Sequence, residues 1–283
     1  MDLVLNINKN PGHSSFSVIR KLKSKYNLRK CGYTGTLDPF ASGVLPVFCG
    51  NFTKLIPFIQ NKIKTYRFNI AFGYETDSLD ITGEAVERTD NVSVSLRDIE
   101  ETIERCFSGV FMQRPPRFSA LKVNGKRAYK MAKQGKDFTM DKKEVKLLEY
   151  NDIEVYDGGF TGSITVESGF YVRAFARDIG MELETLATLV QLERTRDSFF
   201  DISDSVSEDT VSPGDSIDIE QFASRNMILK YAEDSVLSKL RNGLEVFDSE
   251  LPDGRYMMTD RKKETIIIAD AGEHMIKTKR VIR

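Results

Sequence analysis

The chain has 283 residues, enough for one large domain and a small one, and 40% hydrophobic with 10% aromatic residues supports a packed core. Its formal net charge is −1, and it carries two histidines, His13 and His274, and three cysteines, Cys31, Cys49 and Cys106, with no Cys-x-x-Cys spacing. These features argue against a disulfide frame, a zinc knuckle or a multi-histidine metal site, and no apolar run approaches the length of a membrane span.

The near-neutral total conceals an uneven distribution. Met1 to Tyr66 sums to +8 and Met112 to Lys146 to +8, whereas Glu75 to Arg105 sums to −7 and Asp197 to Asp234 to −8. Any one segment reads as ordinary solvated surface. Two basic blocks together read as a surface that faces a polyanion.

In chain order, Met1-Asp2-Leu3 lacks a basic n-region and an apolar signal core, so a cytoplasmic location without membrane association is expected. Leu3 to Ile7 reads as a strand, and Lys9 to Ser15 as a turn. Ser14 or Ser15 can cap a helix whose apolar positions are Val18, Ile19, Leu22 and Tyr26. Its other face carries Arg20, Lys21, Lys23 and Lys25, either solvated or in contact with phosphates.

Gly32 to Gly50 follows, with four glycines, two prolines and one acid, Asp38. Pro39 fixes its own φ and pushes Asp38 out of the α region, so the stretch reads as a stiff loop that aims one carboxylate. Asp-Pro is also an ordinary helix start, with Asp as N-cap, and the two readings are compatible. Val44 to Phe48 reads as a buried strand.

Phe52 to Lys62 suggests a short helix broken near Pro57. Tyr66, Phe68, Ile70 and Phe72 alternate onto one face of a strand. Thr76 to Gly83 reads as an acidic turn before a hairpin. Ser95 signals a cap for a helix from Leu96 to Phe107. Beyond it, Gln113 to Tyr129 has an extended entry at Pro115-Pro116 and a tight-turn signal at Asn124-Gly125, before a basic helix from Tyr129 to Gln134 that Gly135 ends.

Lys146 to Tyr156 and Phe160 to Val166 read as paired strands around Asp157-Gly158-Gly159. Ser168 to Arg173 opens a helix through Leu186, and Leu189 to Arg196 is a further strand. Asp197 to Asp218 is acidic and Ser-rich, a loop and domain boundary. A helix from Ile219 to Asn226 and a small β unit from Ala232 to Arg283 complete the chain.

Gly-Tyr-Thr-Gly-Thr-Leu-Asp-Pro-Phe-Ala-Ser-Gly-Val-Leu-Pro, from Gly32 to Pro46, resembles the signature of the TruB family of tRNA pseudouridine synthases. There the pattern runs Gly-His-Thr-Gly-(small)-Leu-Asp-Pro-Leu-Ala-(Ser/Thr)-Gly-(aliphatic)-Leu-Pro, so Tyr33 stands at the family's histidine. Lys9, Gly12, Ser14 and Ser15 match an earlier motif in which proline here comes one residue late, as Pro11. Lys64-Thr65-Tyr66-Arg67, Thr76 to Gly83, Pro115 to Gly135, Ser168 to Arg173 and Leu189 to Arg196 match further elements in family order.

The resemblance implies an α+β pseudouridine synthase fold: a mixed, mostly antiparallel sheet with flanking helices, a central cleft and a small C-terminal β unit. It implies a catalytic domain over 1–225 and a small, PUA-like domain over 226–283. The reaction breaks the bond from ribose C1′ to base N1, turns the uracil and rejoins it through C5, without metal or redox cofactor. By the same resemblance Asp38 is the nucleophile. Arg173 pairs with it and keeps it charged. Tyr66 stacks on the base and is a candidate proton acceptor from C5. Leu192 walls the pocket, and Tyr33 enters the RNA loop. Lys9 and Lys122, at motif positions, and Arg20 and Lys21, on the basic helix face, complete the substrate-binding candidates. The implied partner is the T-arm of tRNA, with its T-loop uridine flipped out of the stack, and the chain is expected to act as a monomer. Two rivals are a non-catalytic RNA-binding or RNA-folding protein, with Asp38 as a structural cap, and an aspartyl-phosphate enzyme. Pro39, Phe40 and Ala41 supply no second carboxylate for the latter.

Overall fold

Alternating apolar residues build most of the central sheet. The structure, a computed structural model, describes residues 1–90, 92–123 and 125–282. Asn124, half of the Asn124-Gly125 turn signal, and Arg283, the end of the C-terminal span, lie outside the described residues. In chain order the first strands are β1 (Leu3–Lys9), β2 (Cys31–Tyr33), β3 (Ser42–Cys49), β4 (Ile63–Phe72), β5 (Tyr74–Thr76), β6 (Ala85–Arg88) and β7 (Gly109–Gln113). They are followed by β8 (Lys122–Val123), β9 (Lys126–Arg127), β10 (Lys143–Tyr156), β11 (Gly159–Glu167), β12 (Ala187–Asp197), β13 (Phe200–Asp201) and β14 (Val206–Ser207). The C-terminal strands are β15 (Ile228–Tyr231), β16 (Val246–Phe247), β17 (Gly254–Thr259), β18 (Ile266–Gly272) and β19 (Met275–Val281). The helices are α1 (Ser15–Lys25), α2 (Leu96–Cys106), α3 (Ala128–Lys133), α4 (Val172–Glu182), α5 (Ile219–Asn226) and α6 (Asp234–Arg241).

The large sheet runs β14-β1-β3-β12-β4-β11-β10-β7, with β2 on β3 and β13 on β12. Only β1–β14 and β3–β12 pair in parallel, so the fold is α+β with a mixed, mostly antiparallel sheet. Strand β12 lies at its centre, joining β3 to β4. Gly43 permits the β3–β12 approach: a Cβ there would lie 2.3 Å from the Arg194 carbonyl oxygen, and its φ is +101°.

One sheet face is covered by α1, α2 and α4. Helix α1 is capped by Ser14, whose Oγ accepts from Ser17 N, and buries Val18, Ile19 and Leu22. Helix α2 carries a Ser95/Asp98 capping box and buries Ile99 and Ile103. Phe175 of α4 meets Phe68 of β4 and Phe107 edge-on, at centroid distances of 6.1 and 5.3 Å. That packing fixes the start of α4, which carries Arg173.

Val4, Val44 and Phe48 join Phe52, Leu55, Phe200 and Phe222 in a second core. The small sheet, ordered β15-β17-β18-β19-β16, contributes Met257, Ile266 and Ile268 to that same core. A third core forms between its other side and α6, through Leu237, Leu240, Tyr256 and Ile267.

Several expectations change. No helix follows Asp38-Pro39: the Ala41 N–H donates to the Asp38 carbonyl at 3.1 Å, closing a turn with proline at its second position. Gly50–Phe58 is a 3₁₀ helix containing Pro57. Helix α4 stops at Glu182, because Glu184 takes a φ of +54° and Thr185 N–H bonds back to Gly180 O at 2.9 Å. The acidic 197–218 segment is no free linker, since β13 and β14 join the large sheet.

Candidate active site

The loop over residues 34–41 is anchored from beneath. Ser15 Oγ accepts from Leu37 N at 2.9 Å and donates to Leu37 O at 3.1 Å. Gly12 N donates to Pro39 O at 2.7 Å. The Lys9 ammonium donates to Pro39 O at 3.3 Å, His13 O at 2.6 Å and Asn10 O at 2.8 Å. Lys9 is 0% exposed, and burial lowers its pKa to about 8. Expected as a substrate contact, Lys9 is instead a strut under the loop, out of a ligand's reach.

The anchored loop presents Asp38. Arg173 Nη2 donates to Oδ1 at 2.9 Å and Nε lies 2.8 Å from Oδ2. The Arg173 side chain is 5% exposed and that of Asp38 32%, so the carboxylate sits in a recess with one edge open. The same guanidinium donates to Ser78 O at 2.9 Å and Phe118 O at 3.0 Å, and lies 3.3 Å from Asp80 Oδ2. Arg173 thus ties together the loop, the Ser78–Asp80 turn, the approach to β8 and the start of α4. Burial is the largest influence on Asp38 and raises its carboxyl above the usual carboxylate range. Arg173 opposes that rise, Asp80 adds to it, and Lys9 opposes it weakly.

Asp80 is buried, and its Oδ1 accepts from Ser78 Oγ and Thr82 N. The turn is closed by Gly83, where a Cβ would lie 2.4 Å from both Asp77 Oδ1 and Ser78 Oγ. On the α4 side, Gln113 clamps Tyr171 by donating to its carbonyl at 3.1 Å and accepting from its N–H at 2.9 Å.

Tyr66 is 8% exposed and lines up with Arg194 across β4 and β12. Burial raises its hydroxyl, and the Arg194 guanidinium opposes that shift. Arg194 is fully buried; its Nε donates to Val44 O at 2.8 Å and its Nη1 lies 3.5 Å from Asp197 Oδ2. Lys64, its pKa lowered by burial, shares Asp197 at 3.8 Å. Two cations therefore share one carboxylate directly under Gly35, where a Cβ would lie within 2.9 Å of both.

Leu192 is buried opposite Phe68, within the main core. Tyr33 is half-buried on β2, opposite Val47. Lys122 is exposed on β8, opposite Arg127. Lys126, Arg127, Lys130 and Lys136 line a concave basic recess next to it. Arg20 is exposed on α1. Lys21, expected to meet phosphates, is bound to Asp209 at 2.7 Å, and His13 pairs with Glu208: the acidic segment folds back onto α1.

The structure therefore joins Asp38 to Arg173 and leaves Lys122 and Arg20 as exposed candidates. Asp80, Arg194 and the Gln113–Tyr171 clamp were not singled out as site residues. For Asp80 the one signal was its place in the Thr76 to Gly83 element. Among the described residues, no three His, Cys, Asp or Glu side chains are grouped to hold a metal ion, and no helix is long and apolar enough to cross a membrane.

Residues 23–172 match the family model described as TruB family pseudouridylate synthase (N terminal domain). The tRNA pseudouridine synthase B of Ureaplasma urealyticum is 38% identical over 205 residues, covering 72% of this chain and 89% of that protein. Its counterpart in Borreliella burgdorferi is 32% identical over 283 residues, covering 98% of each. Among solved structures, an H/ACA RNP bound to a substrate RNA containing 2′-deoxyuridine superposes with a TM-score of 0.70, at 19% identity over 99% of this chain and 85% of that one. A Cbf5-Nop10-Gar1 complex gives the same TM-score, 0.70, at 20% identity and the same coverage, 99% and 85%. The fold is thus that of pseudouridine synthases. The sequence match runs through the Asp38 loop, β4 and Val172 at the start of α4, and the chain belongs to the TruB family of pseudouridylate synthases.

Proposed function

We propose that this cleft isomerises the T-loop uridine of tRNA to pseudouridine, with Asp38 as nucleophile. One observation carries the reading: the Asp38 carboxylate is gripped by Arg173 yet keeps an open edge in a recess. A side chain used only as a helix cap would have an N–H partner, and Asp38 caps no helix. The tRNA substrate comes from the names of the relatives.

The ionised carboxylate bonds either to C1′, displacing N1, or to the base, after which the C1′–N1 bond breaks. The uracil turns, C5 bonds to C1′, the bond to the carboxylate breaks and regenerates Asp38, the C5 proton passes to solvent, and N1 takes one up. Arg173 keeps the carboxylate ionised and aimed. Burial keeps Tyr66 a phenol at neutral pH, which favours its role as aromatic wall over that of proton acceptor. A recessed nucleophile cannot reach a stacked base, so the uridine is flipped out. The basic recess by Lys122 and the α1 face by Arg20 supply phosphate contacts. Residues 226–283 act as an RNA-binding second domain, and the chain works as a monomer.

Unmodified tRNA transcript incubated with the protein, then mapped at single-nucleotide resolution, tests this. Pseudouridine at one T-loop uridine is expected. Tight tRNA binding with no pseudouridine would favour an RNA-binding protein.

A further inference from the structure

The Asp38 loop is bounded by two cysteines that the isomerisation does not use. Cys31 on β2 and Cys49 on β3 are direct cross-strand partners, followed by Gly32 with Phe48 and Tyr33 with Val47. Gly50 N donates to Lys30 O at 2.7 Å, and Thr34 N to Pro46 O at 3.2 Å. Hydrogen-bonded and non-hydrogen-bonded pairs alternate along an antiparallel ladder, so Cys31 and Cys49 occupy a non-hydrogen-bonded pair. Cα atoms at such a pair lie about 4.5 Å apart, inside the range a disulfide spans. The side chains point the same way: the Sγ atoms are 2.8 Å apart, and both thiols are free.

We propose that Cys31 and Cys49 form a redox-modification site that small-molecule disulfides oxidise to a cross-strand disulfide, stapling the two ends of the loop that carries Asp38. Cys31 is half-buried and Cys49 fully buried, so attack begins at Cys31. The Cys49 thiol facing it, and then Lys23, pull the Cys31 pKa down, while Cys31 and burial push that of Cys49 up. The Cys31 thiolate attacks one sulfur of R–S–S–R; that S–S bond breaks, and one R–S⁻ leaves and takes up the proton Cys31 released. Cys49 sulfur then attacks Cys31 Sγ, and the second R–S⁻ leaves with the Cys49 proton. Two protein thiols are oxidised by two electrons, and one disulfide is reduced to two thiols. The strands are already paired, so the sulfurs close by less than an ångström, to about 2.05 Å. The staple therefore constrains the unfolded chain and leaves the loop in place.

The test uses the full chain under native conditions, incubated with glutathione disulfide, quenched with acid, alkylated and mapped by peptide mass. Expected are a Cys31–Cys49 linked peptide, an alkylated Cys106, and reversal by a thiol reductant. Cys49→Ser should stop at a Cys31–glutathione mixed disulfide, and Cys31→Ser should leave Cys49 unreacted. The oxidised wild type should melt roughly 5–10 °C higher and isomerise tRNA within about twofold of the reduced form, since the loop is unmoved. A stable mixed disulfide on wild-type Cys31, a crosslink through Cys106, reaction only after unfolding, or a lower melting temperature on oxidation would overturn the proposal. The mass readout is independent of the isomerisation reading, so the two can fail separately.

Discussion

Arg173 and Asp38 meet edge to edge, with Nη2 2.9 Å from Oδ1 and Nε 2.8 Å from Oδ2. Nη2 donates to one oxygen while Nε stands at ion-pair distance from the other, a two-point arrangement a lysine ammonium cannot copy. Lysine would also abandon the Ser78 and Phe118 carbonyls that the guanidinium reaches. Arg173→Lys should therefore slow the chemical step by about 10²–10³-fold through misplacement of the nucleophile. Single-turnover kinetics at saturating enzyme reads this; a rate near wild type would make Arg173 a purely structural residue.

The raised Asp38 carboxyl sets a pH dependence. The ionised form is the reactive one, so the single-turnover rate should be flat above the Asp38 pKa and fall tenfold per pH unit below it. Because that pKa is raised, the acid limb should lie above 3.8, the ordinary value. Removing the Arg173 charge, in Arg173→Gln, removes the main opposing influence and should move the limb to higher pH. A limb at or below the ordinary value, or one unmoved in the variant, would detach the profile from Asp38.

Lys9, with no exposed surface, holds three backbone carbonyls. Lys9→Met keeps the apolar stem and leaves those carbonyls short of a donor, at about 1–3 kcal/mol each. Thermal melting should show a lower midpoint, and the chemical step should slow more than tRNA affinity weakens. An affinity loss with an unchanged chemical step would return Lys9 to the substrate.

The two basic blocks are not equivalent in the fold. Neutralising Lys126, Arg127 and Lys130 together should reduce the slope of log affinity against log salt by about 2, at roughly 0.7–0.9 per phosphate contact. Lys262→Gln with Lys263→Gln should change it little, since Lys263 is held by Asp218 and Glu220. Lys21→Gln should also have little effect, because Asp209 already pairs with it. Filter binding of one tRNA across a salt series checks all three, and an unchanged slope in the triple variant would mark that recess as solvated surface.

What could be read before the structure was local. The alternation Tyr66, Phe68, Ile70, Phe72 set the inward face of β4, and all four are buried. Ser14, Val18, Ile19 and Leu22 set α1, because a cap and a 3.6-residue stripe need no knowledge of distant chain. The Arg173–Asp38 contact was implied by resemblance, not by spacing. What escaped was non-local. Lys9 reaches the Pro39 carbonyl thirty residues away as well as those of Asn10 and His13, so a buried strut read as a substrate contact. The acidic stretch from Asp197 to Asp218 read as a loop, although Glu208 bonds to His13 and Asp209 pairs with Lys21. Ala232 to Arg283 read as a small β unit, yet its Met257, Ile266 and Ile268 pack with Val4 and Phe48 of the large sheet. Apolar patterning shows that a face is buried, but not which neighbour buries it.

Asp38→Asn gives the most direct test of the central claim. The amide keeps the size of the side chain and removes its charge. The variant and the wild type are each mixed in excess with unmodified tRNA, and pseudouridine is quantified over time at each uridine, with tRNA affinity measured in parallel. The account predicts affinity within a few-fold of wild type and a chemical step reduced by roughly 10⁴-fold or more. Appreciable single-turnover pseudouridine formation by the purified variant would remove Asp38 from the nucleophile role and contradict the account.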